Sequence, residues 1–291
     1  MTREPSLRAR GAQRTGHLSA LSGTRRLLVG AVVLVGGLAL ASCTTDAPSP
    51  TPTTASPSPT PSGEPGTAFA MNFDEGALLA SEPAGDATVT QENFFGGALT
   101  LVTSFRGNGQ AIQFPASTGG EEEPGVGLVA FAAAAPLPNP GTAPFGFGAD
   151  VRFDDIGAAT ANDNGDNVLQ RGLAADPTQY KLQVDKGAPS CTVTGAAGRL
   201  IIKGDTLENG LWYRLACLLD ADGLTLTVTD LDAQTTAEFA APGTVGAVSF
   251  AEDVPVAIGR KAGPDGAGII AQPDQFNGTM DAIWIRVEPA E

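Results

Sequence analysis

Residues 178–186 read TQYKLQVDK, with an apolar side chain at every second position of the central part. Tyr180, Leu182 and Val184 therefore point to one side of an extended chain, and the polar residues between them point to the other. A period of two is typical of a strand in an antiparallel sheet that buries one face and leaves the other polar. The stretch predicts a half-buried β-strand.

The same alternation recurs throughout residues 67–291, between turns rich in Gly, Pro, Asp and Asn. Residues 148–153 and 224–229 repeat it. Residues 211–219 are apolar at both parities apart from Arg214, which predicts a strand covered on both faces. No stretch keeps helical spacing for three turns. We therefore predict an all-β domain, a sandwich of two antiparallel sheets.

The N-terminal segment differs in composition from the rest of the chain. Its first 26 residues carry six arginines and one acidic residue, and an apolar run follows over residues 27–41. This layout is typical of a secretory signal peptide. As a helix the apolar run would be about 22 Å long, shorter than the roughly 30 Å hydrocarbon core of a membrane. We predict a signal peptide over residues 1–42, with the choice between Sec and twin-arginine export left open.

The end of this segment, Leu40-Ala41-Ser42-Cys43, resembles the lipobox of bacterial lipoproteins. The resemblance implies that Cys43 becomes the lipidated first residue of the mature chain; the alternative is an ordinary free thiol. A lipid on Cys43 would anchor the protein to the membrane without spanning it. The expected location is extracytoplasmic, on the outer face of the bacterial cell membrane.

Residues 43–66 follow as a predicted disordered linker. From residue 44 onward they hold seven prolines and no large apolar side chain. Such a segment buries too little surface to offset the entropy of ordering. Its proline spacing favours extended polyproline II, with a reach on the order of 70 Å. The linker would hold a single β domain, residues 67–291, clear of the membrane, and glycosylation of its Ser and Thr residues is an open question.

Charge and histidine content exclude several functions. Residues 1–42 hold six of the 17 basic residues, one of the 32 acidic residues and the only histidine, His17. The mature chain is therefore strongly acidic, which argues against nucleic-acid partners because these are bound mainly through Lys and Arg. Without histidine it cannot build a Ser-His-Asp or Cys-His catalytic site or the usual zinc sites. Carboxylate, Tyr or Lys chemistry and calcium binding remain possible.

Two cysteines remain beyond Cys43, and each lies in a predicted strand. An oxidising compartment favours a structural disulfide between Cys191 and Cys217 over two buried free thiols. A catalytic thiol is not expected without a histidine to activate it.

Several blocks, in this order, resemble the laminin-G-like or concanavalin A-like domains of secreted bacterial proteins. The blocks are NVLQRG from Asn167, YKLQVDKG from Tyr180, PSC from Pro189, LWYRLAC from Leu211, VAIGRK from Val256 and DQFNGTMDAIWI from Asp274. The resemblance covers residues 145–287 well and residues 68–115 loosely, through Asn72 to Gly76 and Gly107 to Gly109. It implies a jelly-roll sandwich and a Cys191–Cys217 disulfide. Residues 116–143 match no block, and we interpret them as a surface insertion.

Domains of this family bind sugars, calcium or other proteins, and a related branch hydrolyses β-glucans. The glucanase branch uses two glutamates in an E-x-D-x-x-E strand, and the chain contains no such motif. Alginate-lyase-like jelly rolls need a histidine that the mature chain would lack. We therefore expect a non-enzymatic protein, and a carbohydrate-active enzyme on the same sandwich stays an alternative.

Calcium is the one cofactor that we expect, in a structural role. In this fold the start and end of the domain lie side by side, so Asp74, Asn108 and Asp281 are the candidate ligands. A second candidate is the loop Asn162-Asp163-Asn164-Gly165-Asp166, with Asp163, Asn164 and Asp166 as ligands, although it lacks the closing glutamate of an EF-hand. Ordinary carboxylate caps and Asx turns are the alternatives at both places.

The few large aromatic residues do not identify a ligand. Tyr180, Trp212, Tyr213 and Trp284 lie in predicted strands, where core packing is the expected use. Phe94, Phe95, Phe145 and Phe147 are candidates for the mouth of a site, although core packing is again expected. We predict a surface-anchored, monomeric lipoprotein with a laminin-G-like module that binds a polysaccharide or an extracellular protein. A purely structural envelope spacer is a further alternative.

Overall fold

The computed structural model describes residues 67–74, 87–118, 122–133, 136–156 and 165–288. The predicted signal peptide, Cys43 and the linker lie outside these residues, as do Asp163 and Asn164 of the second calcium candidate. Within the described ranges no helix is long and apolar enough to cross a membrane.

The described residues form fifteen β-strands and one short 3₁₀ turn, with no α-helix among them. The strands are β1 Thr67–Met71, β2 Ala87–Phe94, β3 Thr100–Thr103, β4 Gln110–Gln113, β5 Gly125–Ala132, β6 Phe145–Phe153, β7 Asp166–Arg171, β8 Gln179–Asp185, β9 Ala188–Gly195, β10 Gly198–Lys203, β11 Trp212–Leu219, β12 Gly223–Asp230, β13 Thr235–Pro242, β14 Val256–Ile258 and β15 Gly278–Val287. The 3₁₀ turn is Phe105–Gly107.

The strands build two antiparallel sheets that pack face to face. The first sheet has the order β13-β12-β11-β6-β15-β4-β3, with β1 also paired to β15. The second sheet has the order β10-β9-β8-β7-β14-β5-β2. This arrangement confirms the predicted two-sheet all-β sandwich. Strands that are distant in sequence lie side by side, as β6 and β15 do.

The core lies between the two inner faces and follows the predicted alternation. Tyr180, Leu182 and Val184 of β8 are fully buried, as the period of two predicts. The Tyr180 ring lies 5.0 Å from the Phe147 ring and 5.6 Å from the Phe145 ring, centroid to centroid, so aromatic contacts join the two sheets. Phe145 and Phe147 are therefore core residues, as expected, and not part of a site.

A disulfide links the two sheets. Cys191 of β9 and Cys217 of β11 are bonded, with their Cα atoms 5.9 Å apart and a sequence separation of 26. The predicted pairing is confirmed. Closing a loop of this length stabilises the fold by about 3.5 kcal/mol in the chain-entropy model.

The interpretation of residues 116–143 as a surface insertion was wrong, because they contain the buried strand β5. This strand pairs with β2 on one side and β14 on the other. The sequence pattern did not reveal β5 because two of its residues, Gly125 and Gly127, have no side chain. An added Cβ at Gly125 would lie 2.2 Å from a guanidinium nitrogen of Arg260, and one at Gly127 would lie 3.2 Å from the Arg260 Cβ. The strand is glycine-rich because the Arg260 side chain lies across it.

The prediction for residues 211–219 was also wrong in part. On β11 the inner face is buried, but the outer face is only partly covered, and Leu218 is 43% exposed. The outer face of β11 is therefore covered at Trp212, which packs against Ala111 and Leu231, and open at Leu218. The outer face of β8 was predicted to face solvent, but it is partly covered, since its polar residue Lys181 is only 7% exposed.

Candidate functional site

A polar depression of about 510 Å³ lies on the outer face of the second sheet. Its floor follows the strand register, in which Lys181 of β8 lies opposite Thr192 of β9 and Gln170 of β7. The lining consists of Gly165, Gln170, Leu173, Ala174, Ala175, Gln179, Lys181, Gln183, Asp185, Thr192, Arg199, Lys261, Ile269, Gln272 and Asp274. The polar residues of β8, which alternate with its buried residues, therefore form part of the floor of the candidate site.

Two loops form the sides of the depression. The loop of residues 259–277, between β14 and β15, is tied down by Asn167, whose backbone NH donates to the Asp274 carbonyl at 2.9 Å and whose side-chain amide donates to the Arg260 carbonyl at 2.9 Å. The loop of residues 172–178, between β7 and β8, forms the other wall. The Gly172 carbonyl of this loop accepts hydrogen bonds from the Gln170 and Gln179 side-chain amides, so both loops are bonded to the sheet.

A three-membered charge cluster occupies one side of the depression. The ammonium groups of Lys181 and Lys261 both contact Oδ2 of Asp274, at 2.6 and 2.8 Å. The side chains of Lys181, Lys261 and Asp274 are 9%, 20% and 5% exposed. The cluster thus holds two positive charges against one negative charge, largely out of water.

Burial lowers the pKa of the Lys181 ammonium, because a charged group loses hydration there, and Asp274 opposes this effect. Lys261 lowers the pKa further by repulsion between like charges, while Asp185 acts in the opposite sense. Asp274 is therefore the main group that opposes the loss of the Lys181 proton. The Asp274 backbone has a φ of 44°, a left-handed conformation that Asp tolerates better than most residues.

Glutamine amides line the rest of the floor. The Gln179 side-chain oxygen accepts from the Arg199 guanidinium at 3.2 Å, and the Gln170 amide donates to the Gly172 carbonyl at 2.6 Å. Gln170 Oε1 and Asp274 Oδ1 are buried acceptors without a hydrogen-bond partner among the described residues. Buried acceptors of this kind are costly.

The apolar part of the lining is small and not aromatic. It comprises Leu173, Ala174, Ala175 and Ile269. A sugar ring in this depression would therefore be held by hydrogen bonds and charge, not by stacking on an aromatic face. This chemistry favours a hydrophilic ligand.

The first predicted calcium ligands lie around the loop of residues 104–110. Asp74 accepts a hydrogen bond from the Gln110 backbone NH at 3.0 Å, and Asp281 accepts one from the Ser104 hydroxyl. The Asn108 backbone NH donates to the Phe105 carbonyl at 3.2 Å. Asp74 and Asp281 are thus both engaged with the same loop. No group of three or more His, Cys, Asp or Glu side chains suited to a metal ion occurs in the part of the chain that the structure describes, and the calcium hypothesis stays a prediction.

Asp166, from the second calcium candidate, has a fold-stabilising contact. Its carboxylate accepts hydrogen bonds from the Asn277 backbone NH at 3.0 Å and from the Asn277 side-chain amide at 3.3 Å. It therefore ties the start of β7 to the residue before β15.

Carboxylates also face each other on the outer face of the first sheet. Asp281 of β15 lies opposite Asp150 of β6, and Asp150 forms a two-point pair with Arg214 at 2.7 and 2.8 Å. Burial raises the pKa of Asp281 to about 6, and the nearby charges of Asp150 and Asp74 add to the effect. Burial likewise raises the pKa of Asp150, although Arg214 opposes it.

The remaining predicted aromatic candidates lie away from the depression. Trp284 lies on the outer face of the first sheet, where added Cβ atoms at Gly146 and Gly148 would contact its ring at 3.1 and 2.9 Å. The Arg260 guanidinium lies 3.8 Å from the centroid of the Phe94 ring. Phe95 is 46% exposed at the end of β2.

A second, smaller depression of about 250 Å³ lies beside β12 and β13. Its lining includes the Tyr213 side chain and two carboxylates, Asp205 and Asp230. It also exposes inner-face residues of β13, since Ala237 and Phe239 contribute to it.

Sequence reasoning identified one part of the main site and missed the rest. The alternation in residues 178–186 placed Lys181, Gln183 and Asp185 together on one face. It gave no indication that Lys261 and Asp274 lie above that face, because a contact between a strand and a loop some 90 residues later leaves no local pattern. The only signal was that Asp274 belongs to a polar block, DQFN, which is unusually polar for a segment just before a buried strand.

No protein-family model matches the chain, and comparison with curated proteins finds no relative. Among solved structures, the enzymatically active domain of tailspike protein 2 from bacteriophage CBA120 is similar over 76% of this chain and 31% of that chain, with 12% identity and a TM-score of 0.47. The LG1-3 region of the laminin alpha2 chain is similar over 52% of this chain and 29% of that chain, with 14% identity and a TM-score of 0.39.

The binding domain of paraclostridial mosquitocidal protein 1 is similar over 78% of this chain and 50% of that chain, with 9% identity and a TM-score of 0.47. This chain therefore spans half or less of each of these three proteins. At these identities and TM-scores, no family, ligand or activity is carried over from these proteins to this chain.

Proposed function

We propose that this protein is a surface-anchored, non-enzymatic binding module of laminin-G-like type, and that the polar depression on its second sheet binds a glycan. The observation that carries the proposal is the composition of that depression. Its lining is dominated by hydrogen-bonding side chains. Its charged cluster joins Lys181 of β8 to Lys261 and Asp274 of the loop of residues 259–277.

The size of the depression supports a small or short ligand. Pockets for small molecules usually enclose about 300 to 1,000 Å³, and about 510 Å³ lies within that range. Four glutamines, one threonine and several charged groups line it. Such a lining matches the hydroxyl groups of a sugar better than the apolar anchor residues that dominate protein–protein interfaces.

The rest of the proposal follows from the sequence. A lipid on Cys43 and the proline-rich linker of residues 43–66 would hold the domain outside the cell at a distance from the membrane. The absence of histidine from residues 43–291 supports binding over catalysis, since the most frequent general acid–base residue is then lacking.

A glycan array probed with the full chain, in mild detergent and with or without EDTA, tests the proposal. We expect binding to a defined class of glycan. Replacing Gln183 at the floor of the depression, as Gln183→Ala, should weaken that binding, whereas Gln234→Ala should not, because Gln234 lies in the exposed turn between β12 and β13. Binding that is lost in EDTA would support the calcium hypothesis as well. An array without any bound glycan, or equal binding by both variants, would contradict the proposal.

One observation favours a second candidate, a glycoside hydrolase on the same sandwich. The smaller depression contains two carboxylates, Asp205 and Asp230, and glycosidases use a pair of carboxylates across a groove. The test is release of reducing sugar from a polysaccharide panel by the wild type and by Asp230→Asn. Hydrolysis that Asp230→Asn abolishes would favour this candidate, and no hydrolysis would reject it.

A further inference from the structure

The depression differs in charge from the molecule that carries it. The whole chain has a formal net charge of −15, yet the lining contains three cationic side chains, Lys181, Lys261 and Arg199, against two carboxylates, Asp185 and Asp274. Asp185 also faces Lys203, at 3.5 Å on the rim. A positively charged depression on an acidic protein is a local feature, which the overall composition does not explain.

The excess positive charge lies in the cluster around Asp274. Lys181 and Lys261 contact the same carboxylate oxygen at 2.6 and 2.8 Å, so one negative charge serves two ammonium groups. Water screens charges poorly at such low exposure, and an uncompensated charge is costly there. An additional anion beside the two ammonium groups would remove that cost.

We infer that the depression selects an acidic saccharide, whose carboxylate binds Lys261 and Lys181 while its hydroxyl groups bind the glutamine side chains of the floor. This inference rests on the proposed function, that the depression binds a glycan, and adds the chemical class of that glycan. The ligand carboxylate would contact the two ammonium groups from the solvent side of the depression, as the Asp274 carboxylate contacts them from the loop of residues 259–277.

The charge of the surrounding surface limits how acidic the ligand is. Long polyanions are repelled by the acidic remainder of the domain, whereas a single acidic unit places its charge only in the depression. The ligand class is therefore an oligosaccharide with an isolated uronate or similar carboxylate, flanked by neutral sugars.

Titration calorimetry of the full chain with uronate-containing oligosaccharides and with their methyl esters tests this inference. Esterification removes the charge and keeps the sugar, so the wild type should bind the acid at least tenfold more tightly than the ester. Lys261→Met leaves a neutral Lys181–Asp274 pair and should remove this preference. Lys186→Met makes the same charge change at an exposed position outside the lining and should leave it unchanged.

The outcomes separate the inference from the proposed function. Equal affinity for acid and ester would overturn the inference and leave the glycan-binding function standing. Binding to neutral glycans alone would have the same two consequences. Preference for a sulfated over a carboxylated saccharide also overturns the carboxylate assignment. No binding to any glycan overturns both. Because the acid–ester comparison uses the wild type, it decides the question even if a variant fails to fold.

Discussion

At the scale of single residues, Asp281 links the pH of the medium to the stability of the fold. Its pKa is raised to about 6, mainly by burial, from an ordinary value of 3.8. The folded protein therefore binds this proton more tightly than the unfolded chain does. The contribution of Asp281 to stability is fully present below about pH 4 and is lost as the pH rises through about 6.

We predict that Asp281→Asn raises the free energy of unfolding at pH 7 by on the order of 1–3 kcal/mol, because a buried charge next to Asp150 is removed. The variant should also show a smaller loss of stability than the wild type between pH 4 and pH 7. Urea unfolding in EDTA at a series of pH values measures both effects without any contribution from bound calcium. Asp253→Asn, at an exposed position, is the control and should follow the wild type. A variant less stable than the wild type at pH 7 would contradict the prediction.

Asp274 is the second residue with a specific role, since it neutralises two ammonium groups in a nearly buried place. We predict that Asp274→Asn lowers the free energy of unfolding by about 3 kcal/mol at pH 7, because Lys181 loses its counter-charge. Asn keeps the size of the side chain and tolerates the left-handed backbone, so lost charge is the only large change. Chemical denaturation measures the effect, and Asp185→Asn, at the more exposed carboxylate of the same depression, should cost less than 1 kcal/mol. Equal losses of unfolding free energy in the two variants would contradict the prediction that Asp274 stabilises the fold by neutralising the two ammonium groups.

At the scale of strands, the disulfide between β9 and β11 is the one side-chain cross-link of this kind between the sheets in the described part of the chain. We predict that replacing both Cys191 and Cys217 by Ala lowers the free energy of unfolding by roughly 3 to 4 kcal/mol, through the entropy regained by the unfolded chain. Thermal unfolding of the double variant, compared with the reduced wild type, measures this. The two should agree to within about 1 kcal/mol, and a stability equal to that of the oxidised wild type would contradict the prediction.

The strands also show what the sequence predicts and what it does not. β8 and β6 were predicted because one face meets the core and the other meets solvent or a polar cover, which imposes a period of two on the residues. β5 was missed because the Arg260 side chain crosses it and requires glycine at positions 125 and 127, which removes the pattern. The charge cluster was missed for a related reason: the loop that carries Lys261 and Asp274 is positioned by tertiary hydrogen bonds from Asn167 and not by any local preference.

At the scale of the whole molecule, the two faces of the sandwich have separate chemistry. The outer face of the second sheet carries the positively charged depression, and the outer face of the first sheet carries the Asp150–Asp281 pair beside Arg214. Titration near pH 6 therefore acts on the face opposite the proposed ligand site. For this reason we expect ligand affinity and pH-dependent stability to vary independently, so that Asp281→Asn leaves the affinity for a bound glycan within about twofold.

The proposed anchor gives the last prediction, which concerns where the whole molecule resides. If Cys43 carries a lipid, Cys43→Ser removes the only attachment that we propose, and the protein should move from the membrane fraction to the soluble extracytoplasmic fraction. Immunoblotting of membrane and soluble fractions from cells that express the chain measures this change. The Cys191→Ala/Cys217→Ala double variant is the matched control: it loses cysteines but keeps Cys43, so it should stay in the membrane fraction. A Cys43→Ser protein that still sediments with membranes would show that another part of the chain holds it there.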